Sequence, residues 1–241
     1  MADGSQSHRL TSRQGPELDP SWSPDGSRIV YRDSRRGLNA NDELYVMDSD
    51  GLHQRNLTRS PENEWSPSWS PDGRLIAFFS GRLYVVRPDG TGRHPVTKIE
   101  GEYPAWSPDG RRLAFMSAQE NATGPNPNYD VFVVNRDGSG LRQLTDWSGE
   151  DGWPSWSPDG EWIAFTTTHN RPIGNRAIWV MRPDGSAKRR IAIGEFPDWS
   201  PHPGVVIFST TGGANDHLRV VRPDGTGLRK LPIHGWLADL L

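Results

Sequence analysis

Apolar residues come in short runs along this chain, each bracketed by polar turns. The runs are Arg28 to Tyr31, Leu44 to Met47, Leu75 to Phe79, Leu83 to Val86, Leu113 to Met116, Val131 to Val134, Trp162 to Phe165, Ile178 to Met181, Val205 to Phe208 and Leu218 to Val221. Runs this short, bounded by Gly, Pro, Asp and Ser, predict β-strands. They are continuous rather than alternating, which predicts strands buried on both faces.

The punctuation between runs repeats. Trp-Ser-Pro-Asp-Gly starts at Trp22, Trp69, Trp106 and Trp156, and a disturbed fifth copy reads Trp199-Ser200-Pro201-His202-Pro203-Gly204. A recurrence every 37 to 50 residues marks a repeat architecture. Each repeat reads as a short strand A ending at the Trp, a turn, strand B, a loop, strand C, a second turn around Asp-Gly, and a strand D such as His53 to Thr58. In the first turn Pro presets φ and Asp can bond the local backbone. The Gly takes a left-handed position, so Gly26, Gly73, Gly110 and Gly160 are expected at positive φ. Strand A carries Pro two residues before its Trp, at Pro20, Pro67, Pro104, Pro154 and Pro197. Pro cannot donate to a ladder, so strand A is an edge. The expected fold is all-β: a β-propeller of four-stranded antiparallel blades, with strand A lining a central channel.

Five repeats over 17–232 make one domain across 1–241. Residues 1–16 read as an extra N-terminal strand segment, because His8–Thr11 is similar to Gln54–Thr58 and Leu141–Thr145. Residues 233–241 are a tail. Five blades with that added strand is the favoured reading. Six blades, the last assembled from His8–Thr11 and the tail, is the alternative.

The whole pattern resembles the TolB-type, WD-like propeller repeat. The residues that carry the likeness are Trp-Ser-Pro-Asp-Gly, an apolar strand, Leu44-Tyr45-Val46-Met47, Asp50-Gly51 and Arg55-Asn56-Leu57-Thr58. The last repeat departs from it at His202-Pro203 and at Arg219, which stands where Tyr45, Tyr84, Phe132 and Trp179 stand elsewhere. The resemblance implies a partner-docking module of the kind found in bacterial envelope systems.

Composition narrows the function. The chain has 11 Trp but only 33% hydrophobic residues. A few indoles per repeat, each burying ~150–250 Å², can build the core, and the strand-A Trp residues are expected as wedges between blades. A net charge of −3 gives no basic excess for a nucleic-acid surface. No run of 18 apolar residues spans a membrane. With no Cys there is neither a disulfide framework nor a thiolate metal site. Residues 1–11 lack the apolar core of a signal peptide. The chain as it stands reads as cytoplasmic, or as periplasmic or extracellular if cut from a longer exported precursor.

Both turns of a blade share one face, and the B–C loops and D–A crossings share the other. The loop face holds the variation: Asp33–Asp42, Ser117–Asp130, Thr166–Arg176 and Ser209–His217 are long, whereas blade 2 has only Ser80-Gly81-Arg82. Function gathers on such loops. An acid also precedes every Pro-x-Trp: Glu17, Glu64, Glu102, Asp151 and Glu195, with Asp19 and Glu150 beside two of them. At the channel mouth they would focus a negative potential and receive a basic protein segment. Alternatively, they pair with neighbouring strand-D arginines as ties. His169 and His217, with Asn215 and Asp216, are a weaker candidate for holding a cation. Asn56-Leu57-Thr58 and Asn121-Ala122-Thr123 are glycosylation sequons by spelling. No nucleophile-elbow, zinc-protease or phosphate-loop motif occurs.

The leading reading is therefore a protein-binding scaffold without cofactor or metal. The alternatives are a glycoside hydrolase using two channel carboxylates, or a carbohydrate- or metal-binding propeller.

Overall fold

A computed structural model describes residues 8–12, 15–34, 41–118, 128–169, 176–200, 204–210 and 217–231. Among these residues twenty strands form five four-stranded sheets. Blade 1 is β1 (Glu17–Trp22), β2 (Arg28–Ser34), β3 (Asp42–Asp48) and β4 (Arg55–Asn56). Blade 2 is β5 (Trp65–Trp69), β6 (Ile76–Phe79), β7 (Leu83–Val86) and β8 (His94–Pro95). Blade 3 is β9 (Glu102–Trp106), β10 (Arg112–Ala118), β11 (Tyr129–Asn135) and β12 (Arg142–Gln143). Blade 4 is β13 (Asp151–Trp156), β14 (Ile163–Thr167), β15 (Ala177–Met181) and β16 (Arg189–Ile193). Blade 5 is β17 (Glu195–Trp199), β18 (Val206–Ser209), β19 (Leu218–Val221) and β20 (Arg229–Lys230). Every neighbouring pair is antiparallel, so the protein is a five-bladed β-propeller, as the repeat count predicted.

The turn chemistry follows from the residues. In the first turn the Ser23 hydroxyl donates to Asp25 (2.6 Å) and accepts the Arg28 N–H (2.9 Å), while Gly26 N–H closes onto Ser23 O (2.8 Å). The same set recurs at Ser70, Ser107 and Ser157. Gly26, Gly73, Gly110 and Gly160 lie at φ 67, 66, 65 and 70°, where a residue without Cβ is favoured.

Two expectations change. The D strands are shorter than predicted: four of the five have two residues, so the outer edge offers little ladder for another chain to extend. Residues 8–12 form no strand. Leu10 nevertheless packs on Ile29, Tyr31, Tyr45 and Met47. Its carbonyl sits over Gly51 as Leu57, Val96 and Leu144 sit over Gly90, Gly138 and Gly185. The segment keeps the place of a strand-D tail without a sheet to pair with. The tail beyond residue 231 lies outside the described residues.

The core lies between blades. Val30, Leu44 and Val46 of blade 1 pack on Trp69, Ile76, Phe78 and Val86 of blade 2. Equivalent clusters join blades 2 and 3, 3 and 4, and 4 and 5. Each contains the strand-A Trp of the later blade, confirming its role as a wedge. Trp106 and Trp199 also donate their indole N–H to Ser68 O and Ser155 O of the blade before, each at 3.1 Å.

Candidate functional site at the loop-face mouth

The inner strands of consecutive blades lie side by side, which places strand A around the channel as predicted. Each inner strand bulges at the same point. Two residues oppose one: Asp19-Pro20 against Tyr31, Ser66-Pro67 against Phe78, Tyr103-Pro104 against Phe115, Trp153-Pro154 against Phe165, and Phe196-Pro197 against Phe208. The residue before the Pro has φ between 50 and 54° in all five blades. A non-glycine residue there is strained, and a following Pro makes the conformation less favourable still. Bulges re-aim side chains. Here they bring the residues before the Pro of neighbouring blades together near the start of the inner strands, on the loop face. Ser66 N–H points to Asp19 (3.4 Å). The Tyr103 and Trp153 rings are 5.5 Å apart, and Trp153 meets Phe196 edge-on at 5.1 Å. Burial is the main cause raising the Tyr103 pKa, and the Asp19 carboxylate of blade 1 adds to it.

The five acids occupy the positions expected at the head of strand A, but their surroundings differ. Glu64 is fully buried and takes Arg93 on Oε1 at 2.7 Å. Arg93 lies over the Tyr84 and Phe78 rings and also reaches Glu62. Burial pushes the Glu64 carboxyl up, against the pull of Thr58 and Arg93. Glu195 is buried and bonded to Arg176 (2.9 Å), which also holds Glu150 (2.7 Å) and stacks on Trp153 (4.6 Å). Asp151 is fully buried and burial pushes it up to about 7. Thr167 and Thr145 oppose that shift, although neither carboxylate oxygen makes a well-formed hydrogen bond. Glu17 is half-buried, with Oε1 buried and unbonded. Glu102 stays half-exposed. Burial raises its pKa, and so do Glu100 and Glu150.

Three of the five acids are therefore inside, and the side chains that meet at the mouth are those one or two residues later. Sequence reasoning passed over Asp19, Ser66, Tyr103, Trp153 and Phe196 as a set, because the signal is positional. All stand three residues before the Trp and share no chemistry.

The remaining candidates are engaged elsewhere. His169 stacks on Trp147 (4.6 Å), and Lys230 donates to His217 (2.7 Å). Asn215 and Asp216 lie outside the described residues, as does the sequon at Asn121. Asn56 is half-buried, donates to Glu43 and accepts from the Thr58 and Arg59 N–H groups. Among the described residues no group of three or more His, Cys, Asp or Glu could hold a metal ion.

The model of the TolB beta propeller domain family matches residues 38–196. No curated protein matches the chain. Among solved structures, a TolB-type protein from Agrobacterium tumefaciens superposes with a TM-score of 0.76 at 22% identity, over 92% of this chain and 82% of that one. TolB from Acinetobacter baumannii gives 0.73 at 23% identity, over 92% of this chain but 56% of its own length. The tricorn protease gives 0.68 at 19% identity, over 95% of this chain and 24% of that one. These likenesses show a shared fold. With the family model covering well over half of its length, the chain belongs to the TolB beta propeller domain family.

Proposed function

We propose that the protein is a non-enzymatic binding propeller whose loop-face mouth receives a basic segment of a protein partner. The observation that carries this reading is the pairing of Glu102 with the aromatic chain Tyr103–Trp153–Phe196. Glu102 faces Glu100 and Glu150, and Tyr103 beside it is 38% exposed. A carboxylate that has no ion pair among the described residues, next to the exposed Tyr103 ring, suits a Lys or Arg side chain, by Coulomb attraction and by cation–π contact. Glu17 of blade 1 adds charge, and Asp19 is paired with Arg32 (3.4 Å). Glu64, Asp151 and Glu195 support the mouth from behind.

Glycoside hydrolysis fits less well. It needs two carboxylates flanking one bond, ~5–9.5 Å apart. Asp151 has the raised pKa of a general acid but is fully buried, and Glu64 and Glu195 are tied to arginines.

The test uses a fluorescent Lys/Arg-rich peptide and its Asp/Glu counterpart. The basic peptide binds, and its affinity falls as salt rises from roughly 50 to 300 mM. Glu102→Gln weakens it about fivefold, the scale of one partly screened charge. Equal binding of both peptides, or no response to Glu102→Gln, rejects the proposal.

A further inference from the structure

Away from the axis, blade 2 has a feature of its own. Its B–C connection is a three-residue hairpin in which Ser80 N–H bonds Arg82 O (2.9 Å) and Gly81 sits at φ 69°. The low hairpin leaves an open cavity of about 590 Å³ on the loop face, within the ~300–1,000 Å³ range of small-ligand sites. Trp65, Phe79 and Tyr84 supply its apolar wall, with the Trp65 and Phe79 rings 5.2 Å apart. Glu62, Asn63 and Arg82 supply the rim.

The rim is held in place. Asn63 Oδ1 accepts the Asp42 N–H (2.9 Å), which leaves its amide donors free. Glu62 accepts from Ser80 (3.1 Å) and Arg93 (3.2 Å) and is still 63% exposed. The Arg82 side chain is exposed and makes no hydrogen bond or ion pair among the described residues. One carboxylate, Glu62, and one guanidinium, Arg82, line the pocket, so it carries no net charge. Neither an anion nor a cation is favoured. A ligand with an apolar face and a rim of hydrogen-bonding groups is favoured, and a pyranose ring has both. Its C–H face would pack on Trp65, and its hydroxyls would meet Asn63, Arg82 and Glu62.

We propose that this pocket binds a neutral hexose unit of an oligosaccharide, as a second site separate from the mouth. Nothing in the site supplies a pair of catalytic carboxylates, so the sugar is bound and not cleaved. The test follows the Trp65 indole N–H by NMR while cellotriose, maltotriose, galactobiose and glucuronic acid are added to the intact chain. At least one neutral sugar shifts that resonance with an affinity of about 1 mM. Arg82→Ala weakens the binding at least fivefold without moving Tm, and Trp65→Phe weakens it too. Salt does not change it, and neither does Glu102→Gln, which separates this site from peptide capture at the mouth. No shift with any neutral sugar at roughly fifty times that concentration overturns the proposal. So does binding of glucuronic acid alone, or binding indifferent to both substitutions.

Discussion

Four blade junctions and one seam make up this propeller, and they are built differently. At each junction an apolar cluster spans two blades, with a Trp at 6–7% exposure driven between them. Between blades 5 and 1 no such cluster exists among the described residues, and the strands of the two blades make no substantial contact. Trp22, equivalent to the four wedges, is only half-buried and packs, as Leu10 does, on the blade 1 cluster of Ile29, Tyr31, Tyr45 and Met47. The turn glycines tell the same story. A Cβ on Gly73, Gly110 or Gly160 would stand 3.8, 3.8 or 3.2 Å from Pro24, Pro71 or Pro108 of the blade before, whereas one on Gly26 meets nothing within 4 Å among the described residues. Repetition in sequence thus sets the junctions, and the seam is where repetition gives out.

The comparison can be broken by its wedges. Trp106→Ala removes a large buried side chain and an inter-blade hydrogen bond, and should cost about 3–5 kcal/mol in urea unfolding. Trp22→Ala, at the seam, should cost about half as much because half its surface is already in water. Equal losses would mean that the seam is as tight as the junctions.

A smaller effect separates one blade from another. In blade 2 Arg93 reaches Glu64. In blade 4 the corresponding cation, Lys188, bonds Gly185 O (2.5 Å) instead, and burial leaves Asp151 with a raised pKa. The folded pKa of about 7 exceeds the unfolded value of ~3.9, so the native state holds the proton more tightly. Stability should be full below pH ~4, fall as pH rises to about 7, and level off above, by roughly 4 kcal/mol at most. Asp151→Asn should flatten that slope and raise Tm at pH 8. A Tm that falls at pH 8 would show the carboxylate to be charged and satisfied.

The smallest effect is at the turns. Both Gly26→Ala and Gly160→Ala force a Cβ into positive φ, at about 1 kcal/mol. Gly160→Ala must also displace Pro108, so its Tm should fall further. Matching values would mean that the turn of blade 4 is as free as that of blade 1.

Most of the fold was legible because each blade repeats its own instructions. The Ser-Pro-Asp-Gly turn fixes where strands A and B meet, and runs such as Leu83 to Val86 fix strand C. The mouth was legible only in part. The place of the acids could be read, but not their partners. Arg93 comes from 29 residues after Glu64, and Arg176 from 19 before Glu195, in stretches without a shared motif. The left-handed residues were hidden for a physical reason. A position before Pro favours extended backbone, and Tyr103, Trp153 and Phe196 carry none of the Gly or Asn character that announces positive φ. Only packing of five inner strands around one axis imposes it.

The Leu10 contact also sets an order of events. Blade 1 receives its cover from a segment a few residues upstream, without waiting for blade 5. Every other junction joins groups close in sequence: Ser21 to Trp69 spans 48 residues, Ser68 to Trp106 spans 38, and Ser155 to Trp199 spans 44. Loop-closure entropy over such spans is modest, and local contacts favour fast folding. At ~5–20 residues per second of synthesis, about forty residues emerge within seconds. A nascent chain can therefore lay down one blade after another behind the ribosome, each docking on a finished neighbour.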